Sequence, residues 1–264
     1  MSSRGLVGLD IDGTILLQDE TLSPGVTEAV AEVRDAGYDV MLATGRSWSG
    51  TRRYVEVLGL SAEFTVCSNG AVIMRRVGDE WVRWHVEVFD PAPVLALLRD
   101  RLPEARYMVE LESGQRLYTA VLDDWTLDGG REVDFDELVS QPVSRVVVVS
   151  PEHDEDDFHQ LVTEVGLNEV SYAIGWTAWL DIAPQGVDKS TALERVRAEL
   201  GIPRDRVLVA GDGRNDLGMF AWALAGEGRA VAMGQAPDEV KDAAGEETTV
   251  VDDGGLAIAL RTLL

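Results

Sequence analysis

The stretch Leu6-Val-Gly-Leu-Asp-Ile-Asp-Gly-Thr14 decides how the N-terminal part of the chain folds. Its first four residues are apolar or small and follow Gly5, which is typical of a short strand buried in a parallel sheet. The polar residues that come next predict a turn at the carboxyl end of that strand. Because ligands of open α/β sheets bind at the carboxyl ends of strands, this turn is the first candidate for a functional site.

Strands and helices alternate after this turn in the pattern of a doubly wound, Rossmann-like parallel sheet. We predict a helix over residues 23–36, with Ser23 as its N-cap and proline at its first helical position. Strands are predicted over residues 38–43 and 64–67, with a helix between them. The fold class that these elements indicate is α/β.

The α/β pattern stops near residue 71 and returns after Pro184. A hairpin around Gly78, short strands, and helices that include one over residues 151–165 indicate an α+β insert between these points. A helix over residues 189–200 and further strands and helices then complete the sheet. We therefore predict two domains, which are an α/β core made of residues 1–82 and 185–264 and an inserted α/β cap made of residues 83–184.

Composition excludes several classes of protein. The chain has 264 residues, of which 45% are apolar, so it can bury a packed core. No apolar run is long enough for a membrane span, and the N-terminus lacks a signal-peptide pattern. Cys67 is the only cysteine, which excludes an intrachain disulfide and disfavours a cysteine zinc site. We expect a cytoplasmic protein, either a monomer or a homodimer.

The net charge of −24 bears on the partners of the protein. A surface this acidic repels nucleic acid and anionic membranes, so we expect neither as a partner. It would also repel a phosphorylated substrate, unless a cation and a few fixed donors reversed the field locally. A phosphorylated ligand would therefore need such a cation and such donors at its binding site.

Polar residues follow several of the predicted strands. These residues are Asp10 with Asp12, Thr44, and Asp212 with Asp216. Parallel strand ends meet at one edge of a sheet, so residues far apart in sequence would converge in one crevice. Lys189, one of only two lysines in the chain, begins a predicted helix just after the insert and can join them.

This set of residue types suits phosphoryl transfer. The reaction places negative charge on the transferred group, and carboxylates alone would repel it. Mg²⁺ takes oxygen ligands, and Asp10 and Asp212 can supply two carboxylates. Once neutralised in this way, one oxygen of Asp10 can attack phosphorus and form an aspartyl-phosphate.

The neighbouring residues can supply the remaining steps. Asp12 can protonate the leaving oxygen and then activate water for hydrolysis. Thr44 can donate its hydroxyl to a phosphate oxygen, and Lys189 can pair with both Asp10 and the phosphate. Gly13 leaves room for a close approach of the backbone, whose N–H groups add donors.

Four segments together resemble the motifs of the haloacid dehalogenase superfamily of phosphohydrolases. In order, they are Asp10-Ile-Asp-Gly-Thr14, Thr44-Gly-Arg46, Gly186-Val-Asp-Lys-Ser190 and Gly211-Asp-Gly-Arg-Asn-Asp216. The insert between the second and third motifs is similar to the large α/β cap of the Cof-like branch, type IIB. Ser68-Asn-Gly70 and Ala232-Met-Gly234 also resemble segments of that branch. Gln235 departs from it, because the branch usually has asparagine there.

The resemblance implies a role for each matching residue. Asp10 would be the nucleophile and a metal ligand, and Asp12 the acid/base with its backbone carbonyl on Mg²⁺. Asp212 would ligate the metal directly, while Asn215 and Asp216 would complete or orient the metal shell. The residues implied for binding phosphate or substrate are Gly13, Thr44, Gly45, Arg46, Asn69, Lys189 and Asn215. Alternative interpretations stay open for two of them, since Arg46 can be a surface residue at a helix start and Asn69 a simple turn residue.

The function expected from these features is Mg²⁺-dependent hydrolysis of a small phosphorylated metabolite. Sugar phosphates are the first candidates, followed by a flavin-pathway or nucleotide phosphate. A sugar phosphomutase is the nearest alternative, because such mutases share these motifs and a similar cap. A non-catalytic protein that binds phosphorylated ligands through the same fold is a third possibility.

Overall fold

The structure, a computed structural model, describes residues 3–60, 62–121, 129–150, 170–175 and 179–264. The chain forms two compact units. The core unit comprises Met1–Trp84 and Asp188–Leu264, and the inserted unit comprises His85–Val187. The sequence-based boundaries, after residues 82 and 184, fall two and three residues before these. The helix predicted over residues 151–165 lies outside the described residues.

The described strands and helices follow the predicted order closely. The strands are β1 (Leu6–Leu9), β2 (Asp39–Leu42), β3 (Phe64–Cys67), β4 (Val72–Val77), β5 (Glu80–Val86), β6 (Arg106–Leu111), β7 (Arg116–Tyr118), β8 (Arg131–Glu132), β9 (Val143–Val149), β10 (Val170–Gly175), β11 (Trp179–Pro184), β12 (Val207–Gly211), β13 (Arg229–Ala232) and β14 (Glu246–Glu247). The helices are α1 (Val26–Asp35), α2 (Trp48–Val57), α3 (Ala92–Arg101), α4 (Phe135–Leu138), α5 (Lys189–Leu200), α6 (Leu217–Ala225), α7 (Asp238–Ala243) and α8 (Gly255–Arg261). None of them is long and apolar enough to cross a membrane.

A five-stranded parallel sheet forms the centre of the core unit, with the order β14-β13-β12-β1-β2. β1 lies between β12 and β2 and is fully buried, as its apolar sequence predicts. Next to β2, the strand β3 makes one parallel bridge from Val66 to Ala43 and then continues into an antiparallel sheet with β4 and β5. The predicted α/β class, with a Rossmann-like core, is confirmed.

The side chains of β1 alternate between two apolar clusters, one on each face of the sheet. Val7 and Leu9 belong to the cluster that includes α1 and α8, whereas Leu6 belongs to the cluster that includes α5 and α6. Gly8 lies on the second face, where an added Cβ would be only 3.2 Å from Leu193 of α5. Because sides alternate along a strand, Asp10 continues on the face that packs against α5.

The predicted start of α1 is wrong. The helix begins at Val26, and its N-cap is Gly25, whose φ of 71° lies in the left-handed region. Ser23 does not cap the helix, because its buried hydroxyl instead donates to the carbonyl oxygen of Val251, 2.6 Å away. A tertiary partner for the hydroxyl has replaced the local one that the sequence pattern favours.

The start of α5 is fixed by its own sequence. Asp188 is the N-cap, and its carboxylate accepts from the backbone N–H of Thr191 at 3.0 Å. In return, the Thr191 hydroxyl accepts from the N–H of Asp188 at 3.3 Å, which completes a capping box. Lys189 is therefore held at the first position of a well-defined helix.

The inserted unit contains a six-stranded sheet with the order β10-β11-β9-β6-β7-β8. One face of this sheet is apolar and packs against α3 and α4. On the opposite face, four buried charged residues lie on neighbouring strands and alternate in sign. In strand order, they are Arg116 on β7, Glu110 on β6, Arg145 on β9 and Asp181 on β11. We name this group the charge ladder.

Candidate active site

The parallel register brings the polar ends of β1, β2 and β12 to one edge of the core sheet. Leu9 lies beside Leu42 on one side and Ala210 on the other. Beyond it, the N–H of Asp10 donates to the carbonyl oxygen of Ala210 at 3.0 Å. The residues that follow these three strands therefore lie close together.

Lys189 is fully buried and connects two of the carboxylates. Its Nζ donates to Asp10 Oδ1 at 2.6 Å and to Asp216 Oδ1 at 2.7 Å. Burial alone would lower the pKa of Lys189, but the two carboxylates outweigh it and raise that pKa above its ordinary value. The ammonium group is thus a permanent positive charge beside Asp10.

Three carboxylates surround this one ammonium group. Asp10, Asp212 and Asp216 each place an oxygen within 4.8 Å of the others, and all three are buried. We name these residues, with Lys189, the carboxylate cluster. Burial raises the pKa of Asp10 well above its ordinary range, opposed by Lys189. Burial, and then the charge of Asp216, raise the pKa of Asp212 to about 7. With three carboxylates around one ammonium group, the cluster has a formal excess of negative charge.

Asp216 uses both of its oxygens on donors of the protein. Oδ1 accepts from Lys189, while Oδ2 accepts from the backbone N–H groups of Asp212 at 3.0 Å and Gly213 at 2.9 Å. The approach is close enough that a Cβ on Gly211 would lie 2.2 Å from Asp216 Oδ2. Asp216 therefore orients Lys189 and the loop after β12, which leaves Asp10 and Asp212 better suited to contact a metal directly.

Gly13 lets the loops after β1 and β12 approach each other. Its φ of +72° is one that glycine adopts readily, and an added Cβ would lie 2.0 Å from Asp212 Oδ2. A side chain at this position would displace the carboxylate of Asp212. The lack of a side chain at Gly13, predicted to give room for phosphate, therefore also gives room for the Asp212 carboxylate.

Asp12 lies at the same edge but outside the cluster, and its side chain is 58% exposed. Arg46 binds its carboxylate with two nitrogens, Nε to Oδ2 at 2.9 Å and Nη2 to Oδ1 at 2.5 Å. Arg46 Nη2 also donates to Glu20 Oε1 at 3.0 Å. The guanidinium of Arg46 thus donates to two acidic side chains, and it also lies 5.4 Å from the centroid of the Tyr54 ring. Glu20, which the sequence did not single out, lies beside the predicted site residue Arg46.

The remaining predicted residues form a polar group around the end of β2. The buried hydroxyl of Thr44 accepts from the N–H of Arg46 at 3.1 Å. The amide of Asn215 donates to Asn69 Oδ1 at 3.0 Å, and a Cβ on Gly45 would lie 3.1 Å from that same oxygen. Asn215 thus contacts Asn69 through its side-chain amide.

Asn69 and its neighbour Ser68 both have a φ of 50°, in the left-handed region that non-glycine residues seldom adopt. The backbone N–H of Asn69 donates to the carbonyl oxygen of Thr44 at 3.0 Å, which holds the turn against the end of β2. The Ser68 hydroxyl is buried and has no hydrogen-bond partner among the described residues. Two consecutive strained residues next to the cluster are typical of functional loops.

Known proteins that are similar to this chain point to the same family as its four motifs. A family model described as haloacid dehalogenase-like hydrolase matches residues 7–260. The chain belongs to this family. The resemblance read from the four motifs is therefore confirmed, as is the prediction of a phosphohydrolase.

The curated relatives of this haloacid dehalogenase-like hydrolase include named phosphatases. One is the 5-amino-6-(5-phospho-D-ribitylamino)uracil phosphatase YitU of Bacillus subtilis, 27% identical over 97% of this chain and 96% of its own length. Another is the pyridoxal phosphate phosphatase YbhA of Escherichia coli, 30% identical over 94% of this chain and 96% of its own length. Among solved structures, the subclass IIB sugar phosphatase BT4131 has a TM-score of 0.78 at 19% identity and covers 98% of both chains.

Proposed function

We propose that this protein is a Mg²⁺-dependent phosphatase that removes phosphate from small metabolites through an aspartyl-phosphate on Asp10. One observation carries the proposal. Asp10, which directly follows the buried strand β1, is itself buried with two further carboxylates and one ammonium group. A nucleophilic carboxylate needs a nearby cation to approach a phosphate dianion, and this is the arrangement that would accept one.

The residues of the cluster fit a magnesium ion. Oxygen donors are the ligands that Mg²⁺ prefers, and three carboxylates lie close enough together to share one ion. Asp10 and Asp212 would hold it directly, with the backbone carbonyl of Asp12 as a further ligand. When bound, the ion would neutralise these carboxylates and the charge that develops on the transferred phosphoryl group.

The chain's own residues then account for each bond that forms or breaks. One oxygen of Asp10 attacks phosphorus, the bond from phosphorus to the leaving alcohol oxygen breaks, and Asp12 donates a proton to that oxygen. In the second step, Asp12 takes a proton from water, which attacks the same phosphorus and releases inorganic phosphate and free Asp10. Lys189 holds Asp10 Oδ1 throughout, and its charge favours the phosphate at this position.

The substrate we propose is a phosphate monoester of a small polar molecule, with sugar phosphates first. The names of the relatives support this class, because each names a small phosphorylated metabolite or a sugar phosphatase. We further propose that the inserted unit selects among such substrates as a cap domain. In support, the insert forms a compact unit of its own between the second and third motifs, as the family resemblance implies for a cap.

A phosphate-release screen tests the proposal. Purified protein is assayed against sugar phosphates, pyridoxal phosphate and nucleotides, with Mg²⁺ and with EDTA. We expect release of inorganic phosphate only with Mg²⁺, and loss of several orders of magnitude in Asp10→Asn, whose fold is checked by circular dichroism. Full activity of Asp10→Asn or in EDTA would contradict the mechanism. Transfer of phosphate between positions of a sugar, dependent on a bisphosphate and without release, would instead indicate a mutase.

A further inference from the structure

Gln235 makes hydrogen bonds to three separate segments around the candidate site. It follows β13, and its Nε2 donates to the carbonyl oxygen of Gly13 at 2.5 Å and to Asp212 Oδ2 at 3.3 Å. Its Oε1 accepts from the backbone N–H of Val251 at 3.0 Å. One amide thus joins the loop after β1, the loop after β12 and the segment that leads to α8.

The contact with Asp212 is the one that bears on chemistry. Asp212 Oδ2 lies between Gly13 and the Gln235 amide, since a Cβ on Gly13 would be 2.0 Å from this oxygen. The oxygen is therefore restrained from both sides, and the orientation of the whole carboxylate is restrained with it.

We propose that Gln235 is a positioning residue, which holds Asp212 in the orientation that a divalent cation requires. This inference rests on the proposed function, since it assumes that Asp212 is a metal ligand. Groups that hydrogen-bond a metal ligand fix its orientation, and their removal typically weakens metal affinity by about 10- to 100-fold.

The length of the glutamine side chain matters for this role. Both ends of its amide are engaged, with Val251 at one end and Gly13 and Asp212 at the other. Asparagine would withdraw the amide by about one carbon–carbon bond, or about 1.5 Å. It could not satisfy both ends at once in this backbone, so we expect Gln235→Asn to have an intermediate effect.

The chain offers a matched control for a merely structural role. Ser23 binds the same backbone segment from the other side, because its hydroxyl donates to the carbonyl oxygen of Val251 at 2.6 Å. Ser23→Ala therefore loosens the Val251 segment without touching Asp212. Gln235→Met keeps the approximate volume of the side chain but removes all three hydrogen bonds.

The experiment measures Mg²⁺ affinity without substrate, from the rise of the melting temperature with Mg²⁺ concentration. We expect Gln235→Met to raise the dissociation constant of Mg²⁺ by about tenfold, and Gln235→Asn by less. We expect Ser23→Ala to lower the melting temperature in the absence of metal but to keep the dissociation constant of the wild type.

Other outcomes would overturn the inference. An unchanged dissociation constant in Gln235→Met, or equal weakening in Ser23→Ala, would show that Gln235 only supports the Val251 segment. If Gln235→Met does not fold, Gln235→Asn against Ser23→Ala decides the same question. A wild type whose melting temperature does not respond to Mg²⁺ would instead contradict the metal assignment of the proposed function, and this inference with it.

Discussion

Among the described residues, the core unit and the inserted unit each bury four charged side chains, yet the two groups differ in charge balance. The carboxylate cluster of the core has three carboxylates around one ammonium group, a formal net charge of −2. The charge ladder of the inserted unit has two arginines and two carboxylates, a formal net charge of zero. In the ladder, Arg145 and Asp181 form a two-pronged ion pair with distances of 2.7 and 2.9 Å.

The charges of the ladder balance one another within the chain, whereas those of the carboxylate cluster would balance only with an added cation. Burying a charge is costly unless a partner offsets it, and the ladder offers each charge an opposite neighbour. The cluster leaves negative charge without such a neighbour, and burial together with the neighbouring carboxylates raises the pKa of both Asp10 and Asp212. Excess carboxylate charge at a strand edge therefore indicates a bound cation, whereas balanced buried charge does not.

The largest expected effect comes from removing a buried cation, which is Lys189 in the carboxylate cluster or Arg145 in the charge ladder. Lys189→Met should abolish turnover, because Lys189 holds Asp10, the proposed nucleophile. Both Lys189→Met and Arg145→Met should lower the free energy of unfolding by about 3–5 kcal/mol, since each leaves buried carboxylates unpaired. Mg²⁺ should recover part of this loss in Lys189→Met and none in Arg145→Met. Urea unfolding with and without Mg²⁺ measures this, and equal recovery in both variants would remove the distinction between the two groups.

The next effect is smaller and concerns the inserted unit alone. The double variant Arg145→Met/Asp181→Leu removes a balanced pair, so its free energy of unfolding should lie within about 1 kcal/mol of the wild type. Each single variant should cost several times more, because it strands one charge. A double-mutant cycle measured by urea unfolding gives the coupling. Additive losses in the double variant would show that the pair is not a self-contained unit.

The free energy of unfolding should depend on pH through Asp212 when no metal is bound to the carboxylate cluster. The pKa of Asp212 is raised to about 7 in the folded protein, from an ordinary value of 3.8. The folded state therefore binds more protons than the unfolded state between pH 4 and 7, and stability falls as the pH rises through this window. We expect a loss of about 2 kcal/mol from pH 5 to 7.5 in EDTA, and a smaller loss in Mg²⁺ or in Asp212→Asn. Stability in EDTA that rises over this range would contradict the account.

The smallest effect should come from a charge pair that is not buried. Arg52 and Glu56 lie one helical turn apart on α2, with side chains 63% and 61% exposed. Arg52→Ala should change the free energy of unfolding by about 0.5 kcal/mol or less, because solvent screens such pairs. The same urea titration measures it. A loss comparable to that of Arg145→Met would mean that burial is not what sets the scale.

The sequence was most informative where local rules and tertiary structure agree. β1 and α5 have the predicted bounds at the ends that carry Asp10 and Lys189, because an apolar run and a capping box specify them locally. Parallel strand ends then predict that Asp10, Lys189 and Asp212 converge, and the structure places them together. The start of α1 was missed because Ser23 has a distant partner, which a local pattern cannot reveal.

Other parts of the site depend on contacts between segments far apart in the chain. The sequence showed Gln235 only as a departure within a loop, yet its amide reaches Gly13 and Asp212. Glu20 belongs to no motif in the sequence, and only the fold brings it to Arg46. The burial of the charge ladder could not be predicted either, because charged residues that alternate along a strand are typical of a solvent-facing side.

Chemical trapping of the intermediate tests the central claim most directly. Protein turning over a sugar phosphate with Mg²⁺ is quenched with sodium borohydride, which reduces an aspartyl-phosphate to homoserine, and the peptides are analysed by mass spectrometry. The account predicts homoserine at position 10, dependent on both substrate and Mg²⁺. Turnover that leaves Asp10 unmodified, or that places the modification at Asp12 or Asp212, would contradict it.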